Sequence, residues 1–314
     1  MPKTATDPSM QVLSGRTMGT EWRVLVDATL SASASAALRA DLQAAVDEVD
    51  SQMSTWSPDS ALMRFNAAPV GPWLPLPAAL LTVLQAGLAV SRASDGAFEM
   101  NVGDAVRAWG FGPAPIDLAA IHAARAAPRI PAGQALELDP AAGVARKTAP
   151  LALDLSGIAK GFGVDRLAEV AKGHGVTHAL CSIDGELRAL GTRRDGQPWM
   201  VGIDAPDSAA RGSHSRLALA DMAVATSGDY RHFVTVRGQR LAHTMNPETG
   251  APLVAAPASV TVLGRSCMLA DAMATALMVQ GAERGAIIAT GIGMSALFIE
   301  RSGRVSGTGL FHAA

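Results

Sequence analysis

The sequence predicts an α+β fold, mainly antiparallel β-sheet packed with helices in one domain. Three observations carry that prediction. The first half holds long helical patterns, at 34–53 and 77–94. The second half holds a series of short apolar runs separated by tight turns, and sequential strands joined in that way pair antiparallel. No internal repeat or low-complexity linker interrupts the 314 residues, a length that buries a large core.

Taken in order, residues 1–14 are expected to form a flexible tail and 15–314 the domain. Met18-Gly19 precedes a strand over 20–28, where Trp22, Val24 and Val26 alternate with polar residues. Leu38, Leu42, Ala45, Val46 and Val49 form one face of the helix 34–53. Ser57-Pro58 reads as a cap with proline at the first helical position. Trp56 lies just outside that helix, as a stacking surface or as a tryptophan packed under a loop. The helix 77–94 ends at the turn signal Asp95-Gly96, and a short helix follows to Trp109. Asp117 caps a helix to Ala126, and 136–147 reads as a hairpin. Further strands are expected over 177–183, 186–191, 198–203, 215–219, 222–226, 231–237, 259–263 and 294–299. Ser227-Gly228-Asp229-Tyr230 reads as a tight polar turn. The helix 266–280 stops at Gly281, and 283–290 is helical again.

Hydrophobic residues make up 49% of the chain and charged ones 17%, the balance of a globular protein. The net charge of −2 and the lack of a basic run argue against nucleic acid as the main partner. Any anionic ligand must be held by local devices. Cys181 and Cys267 stand far apart and form neither a disulfide framework nor a zinc pattern, so both read as small core residues. No stretch reaches membrane-spanning length. The N-terminus shows no export signal, so the chain as it stands reads as cytoplasmic. A chain whose export signal had been removed would read the same, which leaves a periplasmic place open.

Residues 151–165, LALDLSGIAKGFGVD, form the centre of the reading. Residues 151–155 read as a short buried strand that ends near Asp154, and 159–171 as a helix. Unpaired N–H groups at a helix start suit an anion such as phosphate, and Lys160 adds a full positive charge. Gly157, Gly161 and Gly163 permit close approach to the backbone. The plain alternative is a strand-to-helix turn with Ser156 as N-cap. The pattern is neither a P-loop nor the dinucleotide-binding glycine fingerprint.

Two other places could carry chemistry. In the nearly all-apolar run CMLADAMATALMVQ, Asp271 and Thr275 lie four residues apart on one face. A buried carboxylate costs several kcal/mol unless it is paired or metal-bound. Carboxylate and hydroxyl oxygens are the hard ligands that Mg²⁺ accepts. Alternatively, Asp271 is favoured by the helix dipole and Thr275 bonds back to its own helix. His243 stands at the edge of the turn-rich segment 241–252, where a histidine can act as a general base or serve packing alone.

The segments Met18-Gly19-Thr20, 54–66, Gly96-Ala97-Phe98, 109–112, 154–161, 226–230, 243–250 and 270–275 occur in this order. Together they resemble the FAD:protein FMN transferases of the ApbE family, from Met18 to the C-terminus. The resemblance implies a single ApbE-like domain. It implies an enzyme that cleaves FAD at the pyrophosphate, passes FMN to a threonine or serine of an acceptor protein as a phosphoester, and releases AMP. Magnesium is required, and some relatives hydrolyse FAD to FMN and AMP instead. A flavin-binding carrier without turnover is a third reading, disfavoured by the presence of Lys160, His243, Asp271 and Thr275. By the same resemblance, Met18, Trp56, the backbone of Ala97-Phe98-Glu99, Asp154, Lys160 and Met245 match FAD contacts. The Gly157 carbonyl, Asp271 and Thr275 match metal ligands, and His243 matches the proposed base. Two positions depart from the family pattern. Asp184 stands where Gly is common before Gly185 and an acidic residue, and Glu99 stands where Asp is frequent.

Overall fold

A computed structural model describes residues 10–204, 213–228, 233–236, 239–254 and 256–311. Its frame is an eight-stranded sheet in the order Met10–Thr17, Thr20–Asp27, Ala179–Ile183, Glu186–Leu190, Ala223–Gly228, Ser259–Gly264, Ser295–Ile299, Val305–Gly307. Each neighbouring pair is antiparallel. This is the α+β, mainly antiparallel architecture that the strand spacing predicts.

Alternation along the strands decides what covers each face. Trp22, Val24, Val26, Ala179, Cys181, Ile183 and Ala223 turn one way. They pack with Leu38, Leu42 and Val46 of the helix Ala32–Met53 and with Val164, Leu167 and Ala168 of the central helix Ala159–Gly173. Leu180, Ala189 and Val224, one residue out of phase, turn the other way. They meet Trp199, Val201 and Leu219 of the hairpin formed by Trp199–Asp204 and Ser213–Leu219. The largest core joins the helices Ala61–Ala67, Ala78–Ala93 and Cys267–Gly291 to Val260, Val262, Ala296 and Phe298 of the sheet. Each Leu or Val buried in these layers contributes about 1.5–3 kcal/mol. Among the described residues, no helix is long and apolar enough to cross a membrane.

Several local expectations are corrected. Residues 10–14 do not belong to a flexible tail. Met10–Thr17 is a full edge strand, and its partner Thr20–Asp27 supplies its ladder. Only Leu13 and Thr17 of its eight residues are buried, too few for an apolar alternation to show. The connecting Met18 and Gly19 both have positive φ, 46° and 73°, as a two-residue hairpin turn with right-handed strand twist requires. Ser57-Pro58 does not start a helix. Ser60 does, with its hydroxyl accepting from Met63 N, because a hydroxyl three residues before a free N–H wins the cap. Gly281, by contrast, stops the first helix as expected: its φ of 77° is non-helical, and a second helical stretch follows to Gly291. The strand expected over 231–237 is present as Phe233–Val236, and Asp229 and Tyr230 of the expected turn lie outside the described residues.

Candidate functional site

The strand expected over 151–155 does not form: these residues have no regular secondary structure and join no sheet. Buried backbone must still find partners, and here side-chain amides supply them. Leu153 N donates to Asn66 Oδ1 and Asn66 Nδ2 to Leu153 O, both at 2.8 Å. Ala152 N donates to Asn101 Oδ1 at 2.8 Å, and Asp154 N to the Met100 carbonyl at 2.8 Å. Asp154 is thereby presented at the head of the central helix. Its carboxylate accepts Ser156 N at 2.8 Å, and Ile158, not Ser156, holds the N-cap position, with no side-chain cap bond. Burial pushes the Asp154 carboxyl up, and the Ser156 hydrogen bonds and the Arg107 charge pull back against it.

At the second residue of the central helix, Lys160 Nζ lies 3.1 Å from Glu186 Oε1 and 3.5 Å from Asp184 Oδ2. Burial alone would lower the ammonium, but Glu186, Asp271 and Asp184 outweigh it and hold the Lys160 pKa above its ordinary value. Lys160 is therefore a fixed positive charge and not a base. Burial raises the Glu186 carboxyl more than Lys160 lowers it, and Glu186 Oε2 is buried with no hydrogen-bond partner among the described residues. Asp184 holds φ of 53°, a left-handed position where glycine would be unstrained.

Asp271 is 5% exposed, and its Oδ2 accepts Gly161 N at 2.9 Å. Burial and then the charge of Glu186 push its carboxyl up to about 7, against the pull of Lys160. Thr275 Oγ1 lies 3.1 Å from Ser227 Oγ. A Cβ on Gly157 would stand 3.0 Å from Thr275 Oγ1, so the Gly157 backbone and the Thr275 hydroxyl are neighbours. The turn at Gly157 and Lys160 at the start of the central helix thus face Asp271 and Thr275 of the neighbouring helix. Three carboxylates share one ammonium here, and a divalent cation would balance the excess. Among the described residues, no three His, Cys, Asp or Glu side chains gather as a metal site. The available set is one buried carboxylate, a hydroxyl and backbone, hard oxygens that fit Mg²⁺ with water and substrate oxygens completing its shell.

The remaining expected residues surround this cluster unevenly. Met18 Cε lies 3.1 Å from where a Cβ on Gly163 would sit, which puts Met18 over the central helix. Ala97 and Phe98 are buried, and Phe98 Cε2 lies 3.4 Å from a Cβ built on Gly157. Glu99 does not point to a ligand. Its Oε1 accepts Asn101 N at 2.7 Å and Ala132 N at 2.9 Å, and burial holds its carboxyl raised. Trp56 is 64% exposed, which excludes the alternative of a tryptophan packed under a loop. Met245 is buried in a short strand paired with Pro252.

His243 sits between the strands Gln239–Ala242 and Met245–Asn246, edge-to-face with Phe111 at 6.4 Å between centroids. Its loop is anchored at Gly250, whose carbonyl accepts Trp109 Nε1 at 2.9 Å. Arg129 packs where a Gly250 side chain would be and donates to the Asn101 carbonyl. The histidine loop is therefore tied to the same Asn101 that holds Ala152.

Sequence reasoning assigned no role to Asn66, Asn101, Ser227 or Glu186. Asn66 acts on a residue 87 positions away, so no local pattern could reveal it. The one available signal was Glu186 itself, an acidic residue at the start of an apolar strand.

Known proteins share this sequence pattern and fold. The profile described as ApbE family matches residues 18–298. A protein named FAD:protein FMN transferase from Vibrio cholerae serotype O1 is 37% identical over 290 residues, covering 90% of this chain and 85% of that one. The solved structure of the flavin transferase ApbE from Vibrio cholerae superposes with a TM-score of 0.83 at 34% identity, covering 95% of this chain and 96% of that one. The apo form of the Pseudomonas stutzeri flavinyl transferase ApbE gives a TM-score of 0.84 at 35% identity, covering 96% and 95%. With most of its length matched by the profile and by relatives above 30% identity, this chain belongs to the ApbE family.

Proposed function

We propose that this protein is an FAD:protein FMN transferase: it moves FMN from FAD to a threonine or serine hydroxyl of an acceptor protein and releases AMP. The observation that carries this reading is the convergence of the Gly157 turn and Lys160 at the start of one helix with Asp271 and Thr275 of the helix facing it. The names of its relatives support it.

In the reaction, the acceptor oxygen attacks the phosphorus that carries FMN, a P–O bond forms, and the bond from that phosphorus to the AMP oxygen breaks. Lys160, held as an ammonium, attracts the diphosphate and offsets its charge. Asp154, Met18 and the backbone at 97–99 orient the nucleotide, and exposed Trp56 offers a flat face to it. His243 takes the proton that the hydroxyl loses. Mg²⁺ held by Asp271, Thr275 and the Gly157 carbonyl would neutralise charge on the pyrophosphate oxygens.

Incubation with FAD, Mg²⁺ and an acceptor domain bearing a known flavinylated threonine tests the reading. Covalent flavin on the acceptor together with AMP supports transfer. Free FMN and AMP at equal rate with and without acceptor would replace transfer by hydrolysis, and unchanged FAD would leave a flavin carrier.

A further inference from the structure

We propose that Asp165 is a positioning residue for the cation site: it sets the helix that bears Asp271 and Thr275 in register against the central helix. The inference rests on the reading that Asp271 and Thr275 hold a divalent cation.

Asp165 lies on the central helix and is 7% exposed. Its two oxygens accept four donors. Oδ1 takes Arg188 Nη1 at 2.6 Å and Cys267 N at 3.0 Å. Oδ2 takes Ser266 Oγ at 2.7 Å and Met268 N at 3.1 Å. Cys267 and Met268 open the helix Cys267–Gly291, and the first N–H groups of a helix have no partner within it. They are satisfied from another helix. Ser266, the N-cap, donates its hydroxyl to Asp165 while accepting from Leu269 N at 3.3 Å. Arg188, from the strand Glu186–Leu190, completes the set and ties both helices to the sheet.

The spacing of this contact gives it a function. Asp165 binds Cys267 N, and four residues earlier Gly161 N binds Asp271 Oδ2, four residues after Cys267. The two ties are therefore one helical turn apart on both helices. A single tie would leave the Asp271 helix free to rotate about it. Two ties a turn apart prevent both rotation and sliding. The absent Gly161 side chain lets the helices close, since a Cβ there would stand 2.4 Å from the Cys267 carbonyl oxygen. A cation that demands near-ideal octahedral geometry is sensitive to small shifts of its ligands, and residues that orient ligands typically cost 10–100-fold in metal affinity when removed.

The test is Mn²⁺ binding to the full chain without FAD, followed by the paramagnetic resonance of free Mn²⁺, for wild type, Asp165→Asn, Asp271→Asn and Leu42→Ala. Leu42 is a fully buried core residue of the helix Ala32–Met53, outside the two helices that bear the proposed ligands, and serves as a destabilised control. The expected result is loss of binding in Asp271→Asn, a half-saturation raised about tenfold or more in Asp165→Asn, and wild-type binding in Leu42→Ala. Wild-type binding by Asp165→Asn with Asp271→Asn impaired overturns the positioning role alone. Wild-type binding by Asp271→Asn overturns the cation reading and this inference with it. Equal weakening in Leu42→Ala and Asp165→Asn reduces Asp165 to a stability residue and also overturns the inference. If Asp165→Asn does not fold, Ser266→Ala removes one of the four donors. A smaller rise in half-saturation is then expected, and no rise overturns the inference.

Discussion

The backbone N–H of Gly161 donates to Asp271 Oδ2 at 2.9 Å, joining the lysine-bearing helix to the helix of the buried carboxylate. A side chain at Gly161 would meet the Cys267 carbonyl oxygen at 2.4 Å and the Asp271 Cβ at 2.7 Å, and backbone cannot yield as a flexible side chain does. Gly161→Ala is therefore expected to lose about 1–3 kcal/mol of stability by overpacking. The Mg²⁺ needed for half-maximal FAD cleavage should rise with it. Denaturant unfolding and an Mg²⁺ titration check both, and a variant unchanged in each would refute the close-contact account.

His243 is expected to act on rate more than on binding. Removing a general base costs typically 10²–10⁴-fold, and the loss appears at saturating substrate because the proton moves in the transition state. His243→Ala should bind FAD nearly as tightly as wild type and transfer FMN far more slowly in a single turnover. A packing role against Phe111 predicts the reverse: a lower melting temperature with the rate per folded molecule intact.

Trp56 is 64% exposed, so its replacement removes little buried area. Trp56→Leu should change stability by less than about 0.5 kcal/mol, as surface substitutions do. If the ring faces the bound nucleotide, FAD quenches tryptophan fluorescence less in the variant than in wild type at equal occupancy. Equal quenching would remove Trp56 from the site.

Both cysteines are fully buried. Burial pushes the Cys181 thiol up to about 12, and burial with the charges of Asp165, Asp271 and Glu186 raises Cys267 well above its ordinary value. An exposed thiol reacts faster as pH rises from about 7 to about 9, because its thiolate fraction grows. Here both remain protonated across that range. A thiol reagent should find no cysteine in the native protein at either pH and two in denaturant. Fast labelling of either thiol without denaturant would contradict the burial described.

What was legible in the sequence follows from local physics. Period-2 alternation at Trp22, Val24 and Val26 marked a strand with one buried face. Asp117 was recognisable as a cap, and Asp95-Gly96 as a helix stop, because caps and positive-φ turns depend on neighbours a few residues away. Asp271 and Thr275 stood out because an acid in an apolar helix needs a partner. Met10–Thr17 was missed because an edge strand that buries only Leu13 and Thr17 shows no apolar alternation and owes its existence to a neighbouring ladder.

The sequence by itself determined the antiparallel α+β architecture, the helix carrying Asp271 and Thr275 on one face, and the glycine-rich stretch around Lys160. Only the tertiary structure decided which groups those residues meet. It supplied Asn66 and Asn101 as the partners of a segment that belongs to no sheet, placed Asp184 and Glu186 on Lys160, and set Asp165 on the N-terminus of the Asp271 helix. Those contacts join residues from 24 to 102 positions apart. The physical reason is that a side chain's tendency to cap, turn or bury is written in its immediate neighbours. Its hydrogen-bond partner across the fold is selected by how whole layers pack, and no local pattern records that.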